Sequence, residues 1–370
     1  MRVLLCPCCM GVLAVAFWVL LACTPTATPP PSLPATTPPL ARPTVVVAAT
    51  AAPAPPELAL VRVSDYQILA GAGHYVADAL GYFREEGIQV EFVRSSPPDM
   101  LPLLVSGQLD IGITSVNAGL YNAFARGLPL RVVADHGSNA GTEAGSMLLI
   151  RKDLVDNGTY SRVADLRGRK VANANTADAT TIELDLLLQR DGLTLEDIDF
   201  TLLPFADILS ALENRAVDAA YLQEPFITIA LERGWAVAGP RAGEVYPDHQ
   251  IGIVLYGERL LRDRDLGLRY MRAYVRGIRT YRQAMWERDP VARSAVIPVL
   301  LERTAVKDRA LLEKLQPSNL KADPFTNVQT MAADQEWFLS RGLQPQRIDL
   351  ATVVDLSFVE QVVRELAAMR

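Results

Sequence analysis

Short β-type runs alternate with helical stretches along this chain from residue 58 onward, and the alternation occurs twice over. Leu58-Ala-Leu-Val-Arg-Val-Ser64 has the branched, apolar composition of a strand, and 74–86 reads as a helix stopped by Gly87. Ile88-Gln-Val-Glu-Phe-Val93 alternates with period two, as a half-buried strand does. A helix at 99–106, the turn Gly107-Gln-Leu-Asp110, a strand at 111–114, a helix at 117–126 and a strand at 130–134 complete a first series. A second series follows, with strands at 147–150, near 200–203 and at 219–222 and helices at 176–191 and 206–214. After a strand at 251–256 the pattern turns helical, with long amphipathic runs at 266–288, 290–304 and 325–341. Strands separated by helices predict parallel βαβ units. The expected class is therefore α/β, with two doubly wound lobes and a ligand cleft beyond the carboxyl ends of the strands.

Composition divides the rest of the chain. All four cysteines (Cys6, Cys8, Cys9 and Cys23) lie in the first 23 residues of 370. The body thus has no disulfide framework, no thiolate metal site and no cysteine nucleophile. Residues 3–22 carry no charge, which suits a signal peptide at 1–22 or an uncleaved anchor. Leu20-Leu21-Ala22-Cys23 resembles a bacterial lipobox, which implies lipidation at Cys23 and attachment to the extracytoplasmic face of the cell membrane. Between Thr24 and Pro56 there are eleven prolines, seven threonines and one charge, Arg42. Such a segment cannot bury enough surface to fold, so 23–57 reads as a tether. The net charge of -6 argues against nucleic acid as a partner. His74, His136 and His249 are scattered singly, so no metal site or other cofactor is expected.

Four motifs carry a resemblance. His74-Tyr-Val-Ala-Asp-Ala-Leu-Gly-Tyr-Phe-Arg-Glu-Glu-Gly-Ile88 resembles the opening of the NMT1/THI5-like and sulfonate/taurine-like periplasmic binding proteins. Leu103-Leu-Val-Ser-Gly-Gln-Leu-Asp-Ile-Gly112, Ala164-Asp-Leu-Arg-Gly-Arg-Lys-Val171 and Ala216-Val-Asp-Ala-Ala-Tyr-Leu-Gln-Glu-Pro-Phe226 are similar to later steps of the same family, in the same order. The resemblance implies a type II periplasmic binding protein fold, a monomer with two hinge crossings near 135–146 and 239–250. Lobe 1 would be 58–140 and 250–370, and lobe 2 141–249. It also implies a solute-binding lipoprotein of an ABC importer that passes its ligand to a membrane permease.

Candidate ligand-binding residues are polar groups at strand-to-helix junctions, where helix N-termini face the cleft. In the first lobe these are Asp65, Tyr66, Gln67, His74, Tyr75, Ser115 and Asn117, and in the second Asn175, Thr176 and Glu224. The junctions hold no Arg or Lys, while Asp65, Asp135 and Glu224 are acidic. That balance predicts a neutral or weakly basic heteroaromatic ligand, riboflavin first and a thiamine-type pyrimidine second, stacked on tyrosines. A sulfonate, taurine or nitrate ligand is the alternative within the same fold. An enzyme like the THI5-type pyrimidine synthases, which consume a histidine, is the rival from another class. It is disfavoured because the body lacks cysteines for the accompanying iron-binding motif.

Overall fold

The computed structural model describes residues 57–95, 97–139 and 145–369. The expected signal peptide, Cys23 and nearly all of the tether lie outside the described residues. Strands are β1 (Ala59–Asp65), β2 (Ile88–Arg94), β3 (Ile111–Ser115), β4 (Arg131–Ser138), β5 (Met147–Arg151), β6 (Lys170–Asn173), β7 (Asp199–Leu202), β8 (Ala219–Leu222), β9 (Ala236–Arg241) and β10 (Gln250–Tyr256). They form two five-stranded sheets, ordered β2-β1-β3-β10-β4 and β7-β6-β8-β5-β9. The chain leaves the first sheet after β4 and returns to it at β10.

The sheets are mixed, which corrects the expectation of purely parallel units. β1 and β2 run parallel from Ala59↔Ile88 to Asp65↔Arg94, and β6 is parallel to β7 and β8. β10 runs antiparallel to β3 and β4, and β5 antiparallel to β8 and β9. Both reversed strands are the ones that follow a crossing. Each enters its sheet from the side where the neighbouring strands end, as the pairing of Met147 with Leu222 shows, and so must run the opposite way.

Each sheet is covered on both faces. On one face of the first sheet, Val61, Val63, Ile111 and Val254 pack with helix Ala72–Ala79 and the long helix Arg264–Met285. On the other, Leu120, Tyr121, Val132 and Leu255 pack with Met331 and Phe338 of helix Val328–Ser340. Residues 74–86 are not one helix. Helix Ala72–Ala79 stops, and Tyr82–Glu85 restarts after Gly81 at φ 80°, a left-handed turn that swings Phe83 into the core at 1% exposure. The structure also contains a helix at Ser357–Ala368 and the edge strand β9, neither of which the sequence pattern had announced.

The two helices over the first sheet touch through glycine: a Cβ on Gly277 would lie 2.1 Å from the carbonyl oxygen of Gly73. Alanine inside a helix ordinarily gains ~0.5–1 kcal/mol over glycine. Here the sign reverses, because the obstructing atom is backbone. Gly277→Ala is expected to lose on the order of 1–3 kcal/mol of stability, read by urea denaturation. A gain would show that the helices can slide apart at no cost.

Candidate ligand-binding cleft

The sequence candidates gather at the carboxyl ends of β1, β3, β6 and β8. Asp65 ends β1, and its Oδ1 accepts hydrogen bonds from the Gln67 backbone N–H at 2.9 Å and from the Tyr75 hydroxyl. Gln67 is held at φ 54°, and its carbonyl accepts from Ala305 N at 2.8 Å. Ser115 ends β3, and Asn117 caps helix Ala118–Ala125: its Oδ1 accepts from Leu120 N at 3.0 Å while its Nδ2 donates to the Ser115 carbonyl at 2.8 Å. In the second half, Asp178 caps helix Ala179–Arg190, accepting from Thr180 Oγ1 at 2.7 Å and Thr181 N at 3.2 Å. Asn175 and Thr176 precede that cap and are exposed.

Backbone bonds tie these two junctions together. Ala118 N donates to the Ala177 carbonyl and Ala179 N to the Val116 carbonyl, both at 3.1 Å, in an antiparallel bridge that sets Asn117 opposite Asp178. The N-termini of one helix from each half therefore converge. Glu224 lies elsewhere along this rim. Its carboxylate accepts from Thr228 N at 3.1 Å, Thr228 Oγ1 at 2.9 Å and Gln316 N at 3.4 Å, the last reaching over from the segment before helix Val328–Ser340. Burial, the largest influence, raises its pKa, while these bonds and the charge of Arg241 pull the other way.

Other candidates sit deeper. His74 is fully buried: its Nδ1 pairs with the Tyr270 hydroxyl at 2.8 Å, and its ring stacks on Tyr274 at 4.1 Å and on His136 at 5.6 Å. Burial holds both imidazoles neutral, His136 at about 3. Tyr75 is 3% exposed and packs edge-on against Phe92, so its ring braces Asp65 and offers no open face for stacking. Tyr66 is half-buried against the first-sheet core, and burial raises its phenol to about 12. Asp135 does not face the cleft as a free carboxylate. It is fully buried within β4, where its Oδ1 accepts from Gln250 Nε2 at 2.5 Å and Gly137 N at 3.1 Å and its Oδ2 has no hydrogen-bond partner.

Three features escaped the sequence reading. Phe205 and Phe226, the first residues of the helices that follow β7 and β8, stack at 5.2 Å and 16° and are only half-buried, so the aromatic surface at this rim is phenylalanine. Arg241 ends β9 in register with Met147, at the same end as Glu224, so the rim does contain a cation. It belongs to the second crossing, and inspecting that crossing as closely as the junctions would have found it. The third is a network joining both crossings. His249 donates from Nδ1 to Glu183 at 2.8 Å and from Nε2 to Asp334 at 3.0 Å, with all three side chains fully buried. Asn139 Nδ2 at 2.6 Å and the Tyr221 hydroxyl at 3.1 Å also donate to Glu183, the Tyr246 hydroxyl donates to Asp334 at 3.1 Å, and the Tyr246 ring stacks on His249 at 4.0 Å.

Residues 70–234 match the family model described as NMT1/THI5 like. No curated protein sequence matches the chain. Among solved structures, the periplasmic aliphatic sulphonate binding protein SsuA from Escherichia coli aligns over 81% of this chain and 99% of its own, with TM-score 0.64 and 20% identity. The alkanesulfonate-binding protein SsuA from Xanthomonas axonopodis pv. citri, bound to MOPS, aligns over 81% and 99%, with TM-score 0.61 and 19% identity. This is a periplasmic binding protein fold. The periplasmic nitrate-binding protein NrtA from Synechocystis PCC 6803 shares it over 84% of this chain and 90% of its own, with TM-score 0.64 at 14% identity. Among the described residues no helix is long and apolar enough to cross a membrane.

Burial opposes charge on His249, but the carboxylates of Asp334 and Glu183 outweigh it and raise its pKa from 6.5 to about 9. The folded state thus holds this proton more tightly than the unfolded chain, so the stabilisation is complete below pH ~6.5 and is lost as pH rises through about 9. The melting temperature is expected to fall across that window. His249→Gln should remove His249's share of that slope and cost on the order of 3–5 kcal/mol at pH 7, because two buried carboxylates lose their counter-charge. An unchanged slope in the variant would assign the pH dependence to other groups.

Proposed function

We propose that this chain is the extracytoplasmic solute-binding lipoprotein of an ABC-type importer, with 58–140 and 250–370 as one lobe and 141–249 as the other. Lipid on Cys23 and the 23–57 tether would hold it to the membrane, and the ligand-bound form would deliver its cargo to a permease. The observation that carries this reading is the convergence of strand carboxyl ends from two sheets that the chain joins by two crossings. The family match and the fold of the sulphonate- and nitrate-binding proteins support it. Ligand touching both lobes would favour closure only by its greater affinity for the closed form. The burial of His74 supports a binding role over an enzyme that spends a histidine, since no substrate reaches that ring without rearrangement of the core.

For the ligand, the stacked Phe205 and Phe226 beside Glu224 support a small heteroaromatic vitamin or precursor, riboflavin first and a thiamine-type pyrimidine second. Arg241 favours the second reading, a sulfonate or nitrate, because a guanidinium matches such oxyanions. A thermal-shift panel of riboflavin, hydroxymethylpyrimidine, taurine, an alkanesulfonate and nitrate separates the two. At ~100 times Kd the true class should add ~2.7 kcal/mol of stability. A flavin absorption band in the protein as purified would decide for riboflavin. Shifts from sulfonates alone would remove the heteroaromatic reading.

A further inference from the structure

Both ring nitrogens of His249 lie at bonding distance from buried carboxylates, Nδ1 2.8 Å from Glu183 and Nε2 3.0 Å from Asp334. A neutral imidazole has one N–H and one lone pair, so it can serve only one of them; the imidazolium serves both. The ring sits where the two crossings touch: Asn139 N donates to the His249 carbonyl at 3.0 Å, and Asp248 N to the Asn139 carbonyl at 2.6 Å. Among the described residues no Lys or Arg pairs with either carboxylate. Arg341 is taken by Asp185 and Glu196, and Lys321 by Asp248. The charge that answers this pair is therefore one that can leave. An arginine would stay charged at every pH, whereas an imidazole gives up its proton within the range of a folded protein.

The groups packed around the ring do not change charge with it. Tyr246 stacks on it from the same crossing, Tyr221 reaches Glu183 from β8, and Tyr121 of helix Ala118–Ala125 donates to the Met331 carbonyl at 2.7 Å. Burial first, and neighbouring charges second, raise all three phenols above the ordinary 10.0, so they stay neutral. Asp178, near Glu183, is bonded by Thr180 and Thr181, and burial raises its carboxyl. Burial also raises Asp334, against the charge of His249. As pH rises through about 9, His249 loses its proton. Whichever carboxylate then faces the lone pair, the link through the ring between helix Ala179–Arg190 and helix Val328–Ser340 is broken.

We propose that His249 is a proton-operated lock on the opening of the cleft. With its proton, the ring bridges the two helices and so holds shut the junction where Asn117 meets Asp178, at the start of the first helix. Without it the bridge is lost and the halves swing apart, so that cargo is held in neutral surroundings and let go in alkaline ones. The second fastening of the same helices, Asp185 with Trp337 Nε1 and Arg341, contains no imidazole and remains, which keeps the halves attached while they open. The inference rests on the two-lobed binding role given under Proposed function and adds its regulation.

Small-angle scattering of the ligand-free full chain, with NMR of its indole N–H and imidazole resonances, tests this between pH ~6 and ~10. Trp337 is the reporter, because its Nε1 donates across the seam to Asp185. The radius of gyration should rise, and the Trp337 resonance move, in one transition near pH 9 that coincides with the titration of His249. Asp334→Asn removes one of the carboxylates that hold the proton, and should bring that midpoint down by about one pH unit or more. A radius that stays constant while His249 titrates, or a midpoint unmoved in Asp334→Asn, makes the network a static brace. Either result overturns the proposal and leaves the solute-binding role standing. Should Asp334→Asn fail to fold, the radius of the unaltered chain decides alone. Whichever ligand of the panel binds at pH ~7 should bind at least about tenfold more weakly at pH ~10. That fall should be absent in His249→Gln, a comparison that cancels any ionisation of the ligand itself. Equal affinity at both pH values overturns the lock. If the radius follows His249 but no panel ligand binds, the lock stands and the solute-binding role fails instead.

Discussion

A buried imidazole between two carboxylates fastens together segments from distant parts of this chain. Glu183 comes from the helix that follows β6, Asp334 from the helix that packs on the first sheet, and His249 from the crossing that returns the chain to β10. Asn139, in the other crossing, bonds the same Glu183. One network therefore holds both crossings and a helix from each half. Desolvating three ionisable groups is expensive, and the structure recovers that cost only because every one of them is hydrogen-bonded to a partner of suitable charge or polarity. Apolar contact could hold the halves together as well. It could not specify a single register for two crossing segments, whereas directional bonds from an imidazole can.

Around that point the same two helices meet again. Asp185, two residues after Glu183, accepts from Trp337 Nε1 at 2.7 Å and pairs with Arg341 at 3.0 Å. The seam between helices Ala179–Arg190 and Val328–Ser340 is thus fastened at two levels. The first of these helices also begins at the bridge that joins Asn117 to Asp178, so the fastened seam and the convergent junctions share one rigid element. The residues left for ligand are those that this frame does not consume. Asn175 and Thr176 remain exposed.

Much of the fold was legible because its signals are local. A period-two run such as 88–93 or a glycine stop such as Gly87 depends on neighbours in sequence, and the strands and helices fell close to where such signals put them. The direction of β5 and β10 was not legible. It follows from where the chain re-enters each sheet, and no residue within those strands encodes it. The candidate junctions were legible, since Asp65, Ser115, Asn117, Asn175, Thr176 and Glu224 all follow or end strands as expected. His74 and Asp135 have the same local context but are buried, His74 under Tyr270 and Tyr274 and Asp135 under Gln250, all from much later in the chain.

By itself the sequence determined the class of fold, the concentration of every cysteine in the first 23 residues and the placement of polar residues at strand ends. Each of these is a matter of pattern and composition. Only the tertiary structure decided which charges at these strand ends are already answered. Whether a carboxylate or a guanidinium acts on a ligand depends on what already answers its charge, and the groups that do so here come from distant parts of the chain. Thr228 and Gln316 engage Glu224, and Tyr75 and Gln67 engage Asp65. A count of charged residues near the junctions suggested an acidic cleft. Pairing in three dimensions shows that two of those carboxylates, Asp65 and Glu224, are already engaged by the protein itself.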